Sequence, residues 1–165
     1  MMVTAEDMGG SPVEIAALGF MPSEYSEKTG SYYEFSLSLG YTDLDELTAR
    51  FADNWNSTPA VEVFSEPQLE LTNIAGGAWI MFEFDEPFFY DVSSNLLYEL
   101  SWSGPIDPPD SRIYTMNWED DVNSALVGYS PDSTFGYLTT VVPNLLFVTT
   151  QGLEAQTFAG VKSSF

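Results

Sequence analysis

The chain has 165 residues, enough for one domain that buries its own core without covalent staples. It carries 25 acidic residues against 4 basic ones, a net charge of −21, and has neither cysteine nor histidine. That balance excludes nucleic-acid binding and anionic membrane surfaces, which need cationic side chains. It also removes the usual zinc ligands and the usual nucleophile–base pairs.

Short apolar runs punctuated by 12 glycines and 10 prolines point to an all-β chain. Met1–Asp7 reads as a short strand or the tail of one, and Gly9-Gly10-Ser11 as a turn. The start, MMVTAEDMGG, has no basic stretch followed by an apolar one, so it reads as lacking a signal peptide. The chain is then either intracellular or a mature or excised portion of a secreted precursor. Pro12–Met21 is a strand with Val13, Ile15 and Ala17 on one face. Tyr33–Tyr41 is an amphipathic strand with Tyr33, Phe35, Leu37 and Leu39 facing inward and Glu34, Ser36 and Ser38 outward.

A short α-helix is expected near residues 43–53. Thr42 is in the N-cap position with Asp45 three residues on. Asp43, Asp45 and Glu46 suit the first turn, and Leu44, Leu47 and Phe51 make an apolar stripe. The same three acids are also a minor candidate metal set. Ala60–Phe64 and Gln68–Thr72 read as two strands about Glu66-Pro67.

The strongest stretch is Ala78–Trp102. Ile80, Phe82 and Phe84 share one face of a first strand, which Glu86-Pro87 stops because proline lacks an N–H. Leu96, Tyr98, Leu100 and Trp102 share a face of a second strand. The two are expected as antiparallel neighbours in one sheet, with Trp79 or Trp102 available as an aromatic platform for sugars. Gly104–Asp110 is an exposed, proline-rich loop. Arg112–Trp118 and Tyr137–Val142 are further strands, Ser130–Gly136 is a loop, and Pro143–Thr150 is a final apolar strand. The expected architecture is an antiparallel β-sandwich, jelly-roll-like, over residues 1–150. Residues 151–165 are a tail, a linker or a donated strand.

Several motifs fall in a suggestive order: Leu39–Thr42, Leu44–Asn54, Trp79–Tyr90, Asn95–Glu99, Gly136 and Pro143–Leu145. In this order the chain resembles a β-sandwich module of large secreted bacterial surface proteins. Such proteins are often exported by type IX secretion, and the module sits beside fibronectin-III-like and Ig-like modules. Tyr41 stands where that family usually has histidine. The resemblance implies a jelly-roll-like sandwich, an extracellular or cell-surface location and a non-catalytic role in a surface assembly. It transfers no catalytic residue. It also implies a further strand upstream of Met1–Glu6. Without that strand a sheet edge stays open to strand addition, for which Gln156–Phe165 is a candidate donor in cis or into a neighbour.

Calcium is the chemically sensible cofactor, because it takes several carboxylate oxygens from loops. The candidate ligands are Asp107 and Asp110, and Glu119, Asp120, Asp121 and Asn123, with no EF-hand spacing among them. Trp55, Trp118, Tyr129 and Tyr137 lie in or near loops and are the candidate ligand-binding aromatics. A glycosidase pair or an aspartic dyad is not singled out by any motif, so an enzyme is not expected. The reading is an extracellular structural or adhesive module, self-assembling into a filament or coat, with a carbohydrate-binding module as the alternative. The expected partners are copies of itself, other surface-protein domains, or glycans.

Overall fold

The computed structural model describes residues 1–26, 29–103 and 115–150, together with the backbone of 156–157. These residues form antiparallel sheets almost throughout. The first four-stranded sheet comprises β1 (Met2–Val3), β3 (Thr29–Thr42), β4 (Val61–Thr72) and β6 (Asn95–Ser103), in the order β1-β6-β3-β4. The second comprises β2 (Val13–Phe20), β5 (Ile80–Tyr90), β11 (Leu145–Thr149) and β12 (Gln156–Thr157), in the order β12-β11-β2-β5. Two small ribbons complete the set. β7 (Asn117–Glu119) pairs with β10 (Val141–Pro143), and β8 (Ala125–Val127) pairs with β9 (Tyr137–Thr139). No helix among the described residues is long and apolar enough to cross a membrane.

One apolar core receives side chains from both four-stranded sheets. Ile15, Leu18 and Phe20 of β2 and Phe82, Phe88 and Tyr90 of β5 meet Phe35, Leu37 and Leu39 of β3 and Leu96 and Tyr98 of β6. Rings cross from sheet to sheet: Phe35 stacks on Phe82 at 5.3 Å, and Tyr41 on Tyr90 at 5.8 Å. Burying each such side chain contributes about 1.5–3 kcal/mol, so this cluster is the main source of stability.

The strongest sequence stretch is therefore the core, but not as one hairpin. β5 and β6 lie in different sheets, and Asp91–Ser94 carries the chain across. Both strands are apolar on the face that meets the other sheet, which opposed sheets satisfy as well as adjacency would.

Proline does not end the strands it interrupts. β4 runs through Pro67 and β5 through Pro87, and both are edge strands in the described sheets, where a missing N–H can face outward. Pro87 falls in an irregular stretch: Phe88 pairs with Ile15 and Glu83 with Ala17, so β5 bulges out between them. The same irregularity shifts the phase of β2, which is why Ile15, Leu18 and Phe20 all reach the core. In β3 the register slips between Tyr33 and Ser36, where Glu34 has φ 49°. Upstream of that slip Tyr32, not the expected Tyr33, packs on the core.

The expected α-helix near 43–53 does not form. The segment is irregular and ends in a single 3-10 turn at Phe51–Asp53. Its backbone groups find partners outside the segment: Leu47 N–H donates to Asn123 O at 2.9 Å, and Phe51 N–H to Thr134 O at 3.2 Å. Asn54, buried, acts as a surrogate backbone. Its Oδ1 accepts from Thr48 N–H at 2.7 Å, and its Nδ2 donates to the carbonyls of Thr48 and Arg50, each at 3.0 Å. Thr42 Oγ1 accepts from Leu44 N–H at 3.3 Å, which makes a local turn where a helix start was expected. The apolar stripe is still used, because Leu47 and Phe51 join Met2, Leu97 and Leu126 in a second, smaller cluster.

Candidate functional site: a groove beside strand β6

Leu47, Phe51, Trp55, Leu97 and Leu126 of the second cluster line a groove of about 500 Å³ beside β6 of the first sheet. One wall is β6 itself, where Leu97 through Trp102 line the groove without a gap. The opposite wall runs from Val127 through Pro131, at the end of β8 and the loop that follows. Trp55, Phe51 and Asn54 close the third side.

β1 lies at one end of the groove. Met2 pairs with Leu97 and Val3 with Leu96 in the β6 ladder. On its other side Met2 N–H donates to Ser124 O at 2.8 Å, so β1 lies between β6 and the start of β8. Tyr98 N–H donates to Met1 O at 2.8 Å, and the Met1 amine donates back to Tyr98 O at 2.6 Å. Beyond this pair, Glu99–Ser103 has no strand beside it on that side among the described residues. Burial at the end of this ladder pulls the Met1 amine down to about 5, against a smaller upward pull from Glu99.

The hairpin on the far side is apolar at its surface. Val127 pairs with Tyr137, which puts both on one face of the β8–β9 ribbon. Tyr129 is 94% exposed, Tyr137 67%, Phe135 65% and Val127 48%, a concentration of exposed apolar surface that single scattered residues do not make. The ribbon is tied to the 43–53 segment by Gly136 N–H donating to Ala49 O at 2.9 Å and by the Arg50–Phe135 bridge.

Of the four aromatics expected to bind ligand, Trp55 and Tyr129 line this groove. Tyr137 is on the neighbouring ribbon, while Trp118 is half-buried on β7, paired with Val142 and apart from the groove. Trp102, considered as a sugar platform, is also in the groove wall and meets Tyr32 edge-on at 5.7 Å. Trp79 is half-buried before β5 and does not line it. Sequence reasoning missed Phe51 and Leu97, which looked like packing residues. The signal available for Leu97 was its place on the face of β6 opposite the core.

The acidic calcium candidates are not gathered. Asp107 and Asp110 lie outside the described residues. Asp120 Oδ2 accepts from Ser124 Oγ at 2.6 Å, and its Oδ1 from Asp121 N–H at 2.8 Å. Glu119 Oε1 accepts from Thr140 Oγ1 at 3.4 Å, and Asn123 donates its side-chain amide to Glu46. Asp43 Oδ1 accepts from Ser94 Oγ at 2.6 Å, across a different loop. Among the described residues no three carboxylates come close enough together to hold a metal ion. The oxygens that calcium would need are spread over loops and engaged with hydroxyl, amide and backbone donors.

No family model, curated protein or solved structure matches the chain. The groove is accordingly read from its own chemistry.

Proposed function

We propose that the chain is a non-catalytic recognition module, structural or adhesive in role, of an extracellular or cell-surface assembly. The observation that carries this reading is the groove beside β6 with the exposed apolar ribbon on its rim. It offers shape and aromatic surface, the ingredients of recognition. The resemblance to surface-protein modules supports the same role and the same location. Filament or coat formation is the self-assembling version of this proposal.

A carbohydrate-binding module is the second reading. Trp55, Trp102 and Tyr129 converge on one groove, and aromatic faces beside polar groups suit sugar rings.

The test compares the natural chain with a Tyr129→Ser/Tyr137→Ser double variant. Both side chains are exposed, so the fold should hold to within about 0.5 kcal/mol. Light scattering and negative-stain imaging report assembly, a glycan array reports sugar binding, and immobilised surface-protein domains report adhesion. Assembly or adhesion that the double variant loses supports the first reading. Loss of glycan binding alone supports the second. A natural chain that does none of these, or a variant that does them equally well, sinks the groove-and-rim proposal.

A further inference from the structure

We infer that the cleft between edge strands β4 and β5 is a second docking surface, whose occupant is an arginine side chain on a basic segment of a partner protein. It lies across β3 from the groove beside β6 and does not depend on that groove.

β4 and β5 are edges of opposed sheets, and they are tied together at two places. At one, Phe64 of β4 meets Phe82 of β5 edge-on at 5.3 Å. At the other, the Tyr41 hydroxyl donates to Phe89 O at 3.1 Å, and the Tyr41 ring stacks on Tyr90 at 5.8 Å. Between these ties β5 leaves its ladder. Glu83 pairs with Ala17 and Phe88 with Ile15, so residues 84–87 have no pairing in β2. Here a cleft of about 500 Å³ lies between residues 61–63 of β4 and 85–89 of β5. Val63 and Phe88 line it from the buried core, while Val61 is 49% exposed and Phe89 58%. Glu62, Asp85 and Glu86 also line it, all three exposed. None of these three side chains is hydrogen-bonded or ion-paired to a described residue. By contrast, Asp43, Asp53, Asp91 and Asp120 are engaged by hydroxyl, guanidinium or backbone donors.

Charge complementarity decides the occupant. The strands of both sheets contain no lysine or arginine. Exposed carboxylates continue past the cleft, with Glu66 and Glu70 on β4 and Glu83 on β5. Glu62 to Glu70 spans about 25 Å of strand, which suits a basic segment rather than a lone cation. The same charge works against a second copy of this chain. Pro67 and the glutamates also blunt β4 as a template for strand addition, so the contact runs through side chains. The apolar part of the cleft then selects among cations. A guanidinium stacks on an aromatic face and forks to carboxylates, whereas an ammonium is a compact, strongly hydrated charge. Phe89 beside Asp85 and Glu86 offers both contacts that arginine uses.

The probe is the peptide acetyl-Gly-Arg-Gly-Arg-Gly-amide, with a second peptide carrying lysine in place of arginine. Calorimetry at low salt measures affinity, and amide chemical shifts locate the contact. The expected result is binding that shifts the amides of Glu62, Glu86 and Phe89, with arginine preferred to lysine about threefold. Glu62→Gln/Glu86→Gln should weaken it about tenfold. Asp121→Asn/Asp132→Asn removes the same charge outside the cleft and should change it less than about twofold. Phe89→Leu keeps an apolar side chain and should reduce the arginine peptide to the level of the lysine peptide. All the altered side chains are exposed, so each variant should fold, which circular dichroism checks.

No binding at millimolar peptide overturns the inference. So does equal weakening by the two charge-removing variants, which would make the attraction a property of the whole surface. Equal affinity for the two peptides removes arginine as the occupant. Lys28, Arg112 and Lys162 lie outside the described residues. Binding that appears only when all three are changed to glutamine would place this chain's own cations in the cleft and overturn the partner. Tyr129→Ser/Tyr137→Ser should leave peptide binding unchanged, and its loss in that variant would move the contact to the ribbon and overturn the cleft.

Discussion

Tyr90 shows how much a single side chain holds in this fold. Its ring is fully buried against Tyr41, and its hydroxyl donates to Ser94 O at 2.7 Å, which fixes the crossing from β5 to β6. Burial pushes its hydroxyl up to about 12, with Tyr41 and Asp91 adding to the effect. Burial likewise raises Tyr41 and, more strongly, Tyr98. A folded value above the unfolded one means that the contribution is complete below pH about 10. It is then lost as the pH climbs towards 12, the folded value of Tyr90. Denaturant unfolding across that range should therefore show a steep alkaline loss of stability. Tyr90→Phe should be less stable at neutral pH by about 1 kcal/mol, through the lost hydrogen bond. Its alkaline slope should be shallower, with Tyr41 and Tyr98 supplying what remains. Equal slopes for the two proteins would show that Tyr90 ionises without cost to the fold. The sequence placed Tyr41 and Tyr98 in strands and Tyr90 past the expected end of one, but gave no sign of which hydroxyls would be buried, because that depends on which sheet faces which.

At the scale of elements, alternation located the strands well and their relations poorly. Leu37, Leu39, Phe82, Leu96 and Tyr98 face the core as expected. Departures occur where an irregularity changes the phase, as at Glu34 and between Ile15 and Ala17. Period-two counting assumes an unbroken ladder, so it cannot carry a face assignment past a bulge. The helix expected near 43–53 failed for a related reason. Its apolar spacing is real, but the nearby Asn54 side chain and backbone groups of Asn123, Thr134 and Gly136 satisfy the segment in another way, and the last three are distant in sequence. The groove was half legible: Trp55, Trp102 and Tyr129 were each in view, while their convergence depends on bringing together three segments far apart in sequence. The connection from β4 to β5 offers a clean backbone test. Gly77 has φ 78°, its N–H donates to Pro22 O at 3.1 Å, and an added Cβ would touch nothing within 4 Å. Gly77→Ala should cost about 1–2 kcal/mol from the left-handed conformation alone, and Gly77→Asn less. Thermal unfolding of the two variants decides it. Equal stability of the alanine variant and the natural chain would mean that the turn relaxes to another conformation at no cost.

The whole molecule is governed by its charge. The net −21 is spread over a small two-sheet body whose stability comes from an apolar core rather than from ion pairs. The Arg50–Asp53 pair, 3.3 Å apart with both side chains about half exposed, adds little. Carboxylates on such a surface repel one another across distances that dilute buffer does not screen, since the Debye length is about 10 Å at 0.1 M salt and about 3 Å at 1 M. Unfolding relieves this repulsion by moving the charges apart, so repulsion lowers the stability of the compact state. Raising sodium chloride from low salt to about 1 M should therefore raise the melting temperature, with most of the gain over the first few tenths molar, where screening changes fastest. Sodium sulfate also strengthens apolar burial and should raise it further at equal ionic strength. The comparison separates two origins of stability. A rise that tracks ionic strength alone, identical for the two salts, assigns the effect to surface repulsion. A rise seen with sulfate and absent with chloride would mean that the acidic surface does not strain the fold.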